Sequence, residues 1–309
     1  MISKVYWNNV CLLSNFEEEY INNILIENKL QKKVDFSYYG LGREYSLKEF
    51  FDKHPYKTLN FHSLISTDVD IFQHKDYLKD KVSSFKNLSN NSLNKIVLNS
   101  NIFSIKEFLP FIIIPLVMVV NKDLIPHHDI PNSLEDLLKE KYKGKVCFGG
   151  IHNSAGGSLF KALIYLFGWD KALEFTKNSI ITSMPAGAFF NVMQGNYPIA
   201  IVPTIFARRC GLNNLEFICP KEGAIAIPSY IAINKNIDSF TEDFLLNNLL
   251  SSNFQKELYE KGAIIPCHKD LENISEDYIT SLLYPNEEFL SDFDFTRFYK
   301  TTNELYNCI

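Results

Sequence analysis

Apolar residues along this chain fall into short β-like runs that alternate with stretches of helical period. Residues 2–7 read as a strand. Over 14–29 the apolar positions recur at helical spacing. Ser14 and Asn15 are cap candidates there, and Glu17, Glu18 and Glu19 fill the first turn, where acids complement the helix dipole. Val34 to Tyr39 forms a second strand, 46–53 a helix and 60–66 a third strand. Phe111 to Val120 is the longest apolar run, broken by Pro115, and with Asn121 it reads as another strand. Its length suits a buried strand, because a membrane helix needs roughly 18 apolar residues or more.

The second half continues the pattern. Pro131 to Asp136 opens a helix capped by Asn132 or Ser133, and 145–149 is a short strand. Helices follow over 157–167 and 170–178, separated by Gly168, and over 188–194, ending at Gly195. Residues 197–203 and 225–234 read as strands, and 240–261 as one long helix ending at Gly262. The last forty residues are acidic and aromatic. They are expected to be helical or irregular and to wrap the first lobe.

Strands alternating with amphipathic helices argue for the α/β class. A chain of 309 residues exceeds one ordinary core, so two domains are expected. The order suggests a first lobe over 1–112, completed by 230–309, with a second lobe over 113–229 inserted between the two parts. The chain would cross at about 110–118 and return at about 225–232. Two such crossings make a hinge between two Rossmann-like lobes.

Composition narrows the function classes. The chain is 46% hydrophobic and 22% charged, with a formal net charge of -5. That balance argues against nucleic-acid binding, which usually needs a basic face. Met1 to Trp7 enters a strand directly, without a basic n-region, an apolar h-region or a cleavage site. Either the protein is cytoplasmic, if Met1 is the true start, or a leader has been removed and it works outside the cytoplasm. Cysteines stand at 11, 147, 210, 219, 267 and 308, with no CxxC pair, and read as free thiols packed as small apolar groups.

Small residues before helices mark the chemistry. His152-Asn153-Ser154-Ala155-Gly156-Gly157-Ser158 leads from a strand into a helix. Free N–H groups at a helix start favour an anion, and the hydroxyls of Ser154 and Ser158 add donors. The segment lacks the Gly-Lys-Ser/Thr ending of a P-loop. Ser183 to Phe190 repeats the logic around Ala186 and Gly187. A simple cap with a tight turn remains the alternative for both. Ser66 and Thr67 end a strand, where open α/β sheets bind ligands, or else cap the next helix. Arg208 and Arg209 could pair with a carboxylate or phosphate, or bond locally. No Cys/His pair comes with a third orienting group, so no catalytic residue is assigned. His127-His128 near Asp129 lacks further spaced ligands, so no metal or cofactor is expected.

In order and spacing, these segments resemble the type II periplasmic solute-binding proteins of ABC importers, in the group that takes ferric iron and related small solutes. The run is Ile65 to Asp68, then Phe111 to Leu124, Pro131 to Leu138 and Tyr142 to Lys145. It continues with Ser154 to Ser158, Leu166 to Ala172, Met193 to Ala200, Pro220 to Gly223, and the helix near Gln255. The resemblance implies a ligand clamped between two α/β lobes. Its contacts would fall at Ser66 and Thr67 in the first lobe and at Ser154, Gly156, Gly157, Ser158, Ala186 and Gly187 in the second. Trp7, Asn8 and Asn9, after the first strand, would also face the cleft.

Iron-binding members of that group carry adjacent tyrosines after the strand that matches Ile199 to Pro203. Here the place reads Thr204-Ile205-Phe206, and neither Ile205 nor Phe206 can coordinate ferric iron. A small anionic solute is therefore expected instead, with Phe206 beside its apolar part and Arg208 as a possible charge partner. The expectation is a monomeric binding protein, not an enzyme, serving an ABC permease. A cytosolic ligand sensor of the same fold is the alternative, and a transferase on a two-lobed scaffold is a third.

Overall fold

Three parallel strands, β1 (Ser3–Asn8), β2 (Val34–Tyr38) and β3 (Ser63–Ser66), start the sheet, with β1 between the other two. The computed structural model describes residues 2–10, 12–40, 59–89, 93–209, 214–272 and 274–307. The helix expected over 46–53, and Cys11, Cys210 and Cys308, lie outside the described residues. Long strands β4 (Phe108–Asn121) and β9 (Ala224–Ile233) run antiparallel through the middle of the sheet. Beyond them come β7 (Ile199–Pro203), β5 (Val146–Gly149) and β6 (Ile180–Thr182), mutually parallel. The order is β2-β1-β3-β9-β4-β7-β5-β6, with β8 (Leu215–Ile218) and β10 (Ile265–Pro266) added to β4 and β11 (Leu282–Leu283) to β9.

Strands β4 and β9 cross from one half of the molecule to the other. The carboxyl half of β9, Ser229 to Ile233, pairs with the start of β4 and with β3. Its amino half pairs with Ile113 to Leu116, just before β4 joins β7. Two prolines and a register shift interrupt the ladder at the crossing. Pro228 lies opposite Ile113, Pro115 opposite Ala226, and the register shifts between Pro110 and Ile112. Each proline removes a ladder donor, and a register shift bends the strand.

Period-two alternation sorts the side chains of the crossing strands. Leu116, Met118 and Val120 face a core with Val146, Phe148, Ile199, Ile201 and the helix Ser154–Lys177. Val117 and Val119 face the other way, into a core that runs from the helix Pro185–Met193 through to the first lobe. Fully burying each such side chain is worth about 1.5–3 kcal/mol.

Several elements differ from the sequence expectation. The N-cap position of the helix Ser14–Glu27 is Leu13, which makes no side-chain cap bond, and the Glu17 carboxylate accepts from Val10 N–H at 2.9 Å. The helix expected from Pro131 is only two single 3₁₀ turns. Its first donors are taken elsewhere, since the Glu222 carboxylate accepts from Leu134 and Glu135 N–H. The long helix over 240–261 breaks into Ser239–Phe244, a π turn at Leu245–Leu249, and Ser252–Gly262 with Ser251 as its cap. The helix at Ser154 starts three residues early, while its break at Gly168, where φ is 81°, falls where the sequence separates two helices. The C-terminal helices Glu287–Asp292 and Phe295–Tyr306 do not wrap the first lobe alone, because Phe298, Phe293 and Leu305 pack into the second-lobe core.

Candidate functional site

Strands β5 and β6 deliver the two small-residue helix starts to one place. Gly149 ends β5 with no room for a side chain: a Cβ there would lie 2.2 Å from the Met184 carbonyl. Gly150, at φ +72°, turns the chain into the helix Ser154–Lys177, and Gly156 packs against the Gly150 backbone. Asn153 joins the two starts, with its Nδ2 3.9 Å from Met184 Sδ. Thr182 Oγ1 donates to the Met184 carbonyl at 2.7 Å and lies where a Cβ on Gly187 would touch it.

The structure consumes most of the backbone donors expected for an anion. Asn153 Oδ1 accepts from Ala155 N–H at 3.0 Å, the Gly150 carbonyl from Gly156 N–H, and the Asn153 carbonyl from Gly157 N–H. Gly187 N–H donates to Met184, and Pro185 has none to give. Gly156 and Gly187 therefore allow close packing of the helix starts, and with Gly157 they supply no free donor. What the described residues leave open is Ser154 N–H, Ala186 N–H, and the half-buried hydroxyls of Ser154 and Ser158.

In the first lobe, Ser66 is fully buried and its Oγ accepts from Asp68 N–H at 3.0 Å, a turn role. Thr67 is 8% exposed, and its hydroxyl has no bond to the described residues. The Asp68 carboxyl is raised to about 7, first by burial and then by the neighbouring Asp70 carboxylate; Lys161 pulls it back down. Its Oδ1 accepts from Asp70 N–H.

Three expected contacts turn inward, and a fourth, Arg208, bonds locally at the surface. Trp7 is fully buried, and its ring sits 6.0–6.4 Å from those of Phe36, Tyr38, Phe111 and Phe254. The helix Ser252–Gly262 covers that face of β1, so Trp7 belongs to the core. Asn9 is buried and ties β1 to the next helix, donating to Glu18 Oε1 at 3.1 Å and to the Ser14 carbonyl. Phe206 stacks on Phe189 at 4.9 Å between centroids. Arg208 is spent locally. It donates to Glu276 from Nε and Nη2 and to the Glu260 carbonyl, and it covers the Tyr259 ring. Asn8 is half-buried against Gly40.

The family model for bacterial extracellular solute-binding proteins matches residues 64–291. The chain belongs to that family. Solved structures share its fold along nearly the whole length. A ferric binding protein from Campylobacter jejuni is 16% identical, with a TM-score of 0.70 over 98% of this chain and 99% of that one. The periplasmic binding protein AfuA from Actinobacillus pleuropneumoniae, with fructose-6-phosphate bound, is 14% identical (TM-score 0.65, 99% and 98% covered). A two-component system protein that mediates signal transduction is 19% identical (TM-score 0.65, 98% and 100% covered). No curated protein sequence matches significantly.

This solute-binding protein therefore has the two-lobed type II architecture that its segments suggest. In open α/β sheets, ligands bind beyond the carboxyl ends of parallel strands. Asn8, Ser66, Gly149 and Thr182 stand at those ends. The sequence reading missed Asp70, Gln73 and Lys161, which meet where the short helix Asp70–Gln73, after β3, packs on the helix Ser154–Lys177. Lys161 donates to Gln73 Oε1 at 3.1 Å and pairs with the Asp70 carboxylate. One signal was available: Lys161 is the lone charge in Leu159-Phe160-Lys161-Ala162-Leu163-Ile164, on a helix that packs by that face.

Proposed function

We propose that this solute-binding protein captures a small anionic solute at the paired helix starts of its second lobe and delivers it to an ABC permease. The observation that carries this reading is the juncture at Gly149 and Met184, which sets two helix starts side by side at the carboxyl edge of the sheet. Ser154 N–H, Ala186 N–H and the Ser154 and Ser158 hydroxyls are the donors left for an anion. Thr67 would add a hydroxyl from the first lobe. Asn8, half-buried at the end of β1, would sit at the rim. Bare ferric iron fits this chain poorly, because Ile205 and Phe206 are buried apolar residues where iron-binding members carry tyrosines.

Binding without catalysis and action as a monomer belong to the same reading. Burial pushes the Cys147 thiol up to about 12 and the Cys267 thiol well above its ordinary value, which disfavours a thiolate nucleophile. A sensor that signals through lobe closure is the second reading, favoured by the fold shared with the signal-transducing protein.

A thermal-shift screen of the full chain against phosphate esters, phosphonates, sulfonates, carboxylates and ferric chelates tests the proposal. A ligand at 100 times its dissociation constant adds about 2.7 kcal/mol of stability. The shift should vanish in Ser154→Ala/Ser158→Ala and persist in Arg208→Ala. A shift that survives loss of both serines moves the site elsewhere.

A further inference from the structure

A second set of contacts joins the lobes two turns along the helix from the anion donors. Lys161 is 3% exposed on the second-lobe helix Ser154–Lys177. Its ammonium pairs with Asp70, which opens the short helix Asp70–Gln73 directly after β3 of the first lobe. Gln73 receives a second bond from Lys161 and passes the network to the Tyr284 hydroxyl. Tyr230, on the crossing strand β9, lies 3.2 Å from that hydroxyl and donates to the Ile102 carbonyl. One chain of polar contacts thus runs from the second lobe, through the first, to the hinge strand.

The C-terminal segment closes this set from the side. Tyr299 donates to Asp70 Oδ2 at 3.2 Å. The rings of Phe293, Phe295 and Phe298 stand 5.1–5.5 Å from the Lys161 ammonium. Glu287 anchors the segment to the first lobe through Lys79 at 2.7 Å and Ser104 at 3.1 Å. Phe293 stacked on Trp169 and Phe298 stacked on Phe160 anchor it to the second. A buried ammonium is tolerated only with a charge partner and donors satisfied, and removing one partner of such a pair is strongly unfavourable. Aromatic faces add to its stabilisation.

We propose that the Lys161–Asp70 pair, held by the C-terminal segment 287–306, is an interlobe latch that sets the open–closed equilibrium of the ligand-free protein. The proposal rests on the reading of the cleft as a clamp. Opening draws Lys161 away from Asp70 and leaves the ammonium among phenyl rings, so the ligand-free chain rests closed. A solute then enters through the minor open state, and its apparent affinity is scaled by that population.

Small-angle X-ray scattering of the ligand-free full chain tests this. A compact chain of this length has a radius of gyration of roughly 19 Å. The double variant Lys161→Met/Asp70→Asn removes both charges and keeps the side-chain volumes. It should show a radius larger by a few per cent, with an unchanged far-ultraviolet dichroism spectrum and a cooperative melt. Tyr299→Phe keeps both charges and should show a smaller shift in the same direction. A folded double variant with the wild-type radius overturns the latch. If the double variant does not fold, Tyr299→Phe decides: a larger radius supports the latch, and an unchanged one overturns it. No solute is used in these measurements. A ligand screen that finds nothing sinks anion capture and leaves the latch standing, while unchanged scattering sinks the latch and leaves anion capture.

Discussion

Gly149 and Met184 touch backbone to backbone, so closely that a Cβ on the glycine would stand 2.2 Å from the Met184 carbonyl carbon and oxygen. The neighbour is main chain and cannot rotate away. Gly149→Ala must therefore push the second helix start off the first. A loss of about 2–4 kcal/mol is expected, at the upper end of overpacking costs. Gly144→Ala is the comparison. Gly144 has φ +70° and open space around it, so it should lose only about 1–2 kcal/mol of left-handed strain. Urea denaturation of the two variants checks the ranking. Equal losses would show that the helix juncture is not tightly packed.

Trp7 separates core from site. Its ring is enclosed by Phe36, Tyr38, Phe111 and Phe254, so Trp7→Ala should cost about 3–5 kcal/mol of stability. Trp7→Phe keeps most of the apolar contact and should cost far less. Because the ring does not reach the helix starts, Trp7→Phe should leave the thermal shift caused by a bound solute at its wild-type size. Selective loss of that shift in a stably folded Trp7→Phe would return this residue to the ligand site.

Much of the architecture was legible because strand and helix periods are written in local sequence. Phe111 to Asn121, and Ile225 to Asn234, announced the crossing strands, and the small residues around Gly156 and Gly187 announced the two helix starts. Side-chain direction was not legible in the same way. Trp7 and Asn8 are neighbours on one strand, and only the packing of Phe254 on β1 decides which of them points inward. The long helix over 240–261 was misread because its break depends on Ser251 capping a new helix inside an apolar run. The paired Lys161 and Asp70 stand 91 residues apart, and no local pattern connects them.

Arg208 tests whether a surface-proximal arginine serves ligand or structure. It bonds Glu276 through two nitrogens, at 3.0 and 2.5 Å, and lies 4.5 Å from the Tyr259 ring centre. Arg208→Ala should lower stability by about 1 kcal/mol, since the pair is partly solvated and screened. Glu276→Gln should cause a similar loss, and the double variant less than the sum of the two. Additive losses in that cycle would show that the pair contributes no coupling.

Asp68 gives the chain a pH dependence opposite to that of an ordinary paired carboxylate. Burial and the Asp70 carboxylate raise its folded value from 3.8 to about 7. Between about pH 4 and pH 7 the folded chain therefore holds a proton at Asp68 that the unfolded chain has released, and stability falls as pH rises. The contribution is fully present below about pH 4 and is gone above about pH 7. Asp136 and Asp238 act in the opposite sense. Hydrogen bonds hold both near 2, so their stabilisation is lost only on acidification below the ordinary carboxylate range. Comparing Asp68→Asn with the wild type cancels those contributions. The variant should be more stable than the wild type at pH 8, on the order of 2 kcal/mol after allowing for partial solvation. The difference should shrink as pH falls towards 4, because the protonated acid and the amide are close in size and polarity. Urea midpoints at pH 4.5, 6 and 8 measure it directly. A difference between variant and wild type that does not change across that range would mean that Asp68 is charged throughout, with Lys161 close enough to outweigh both its burial and its repulsion from Asp70.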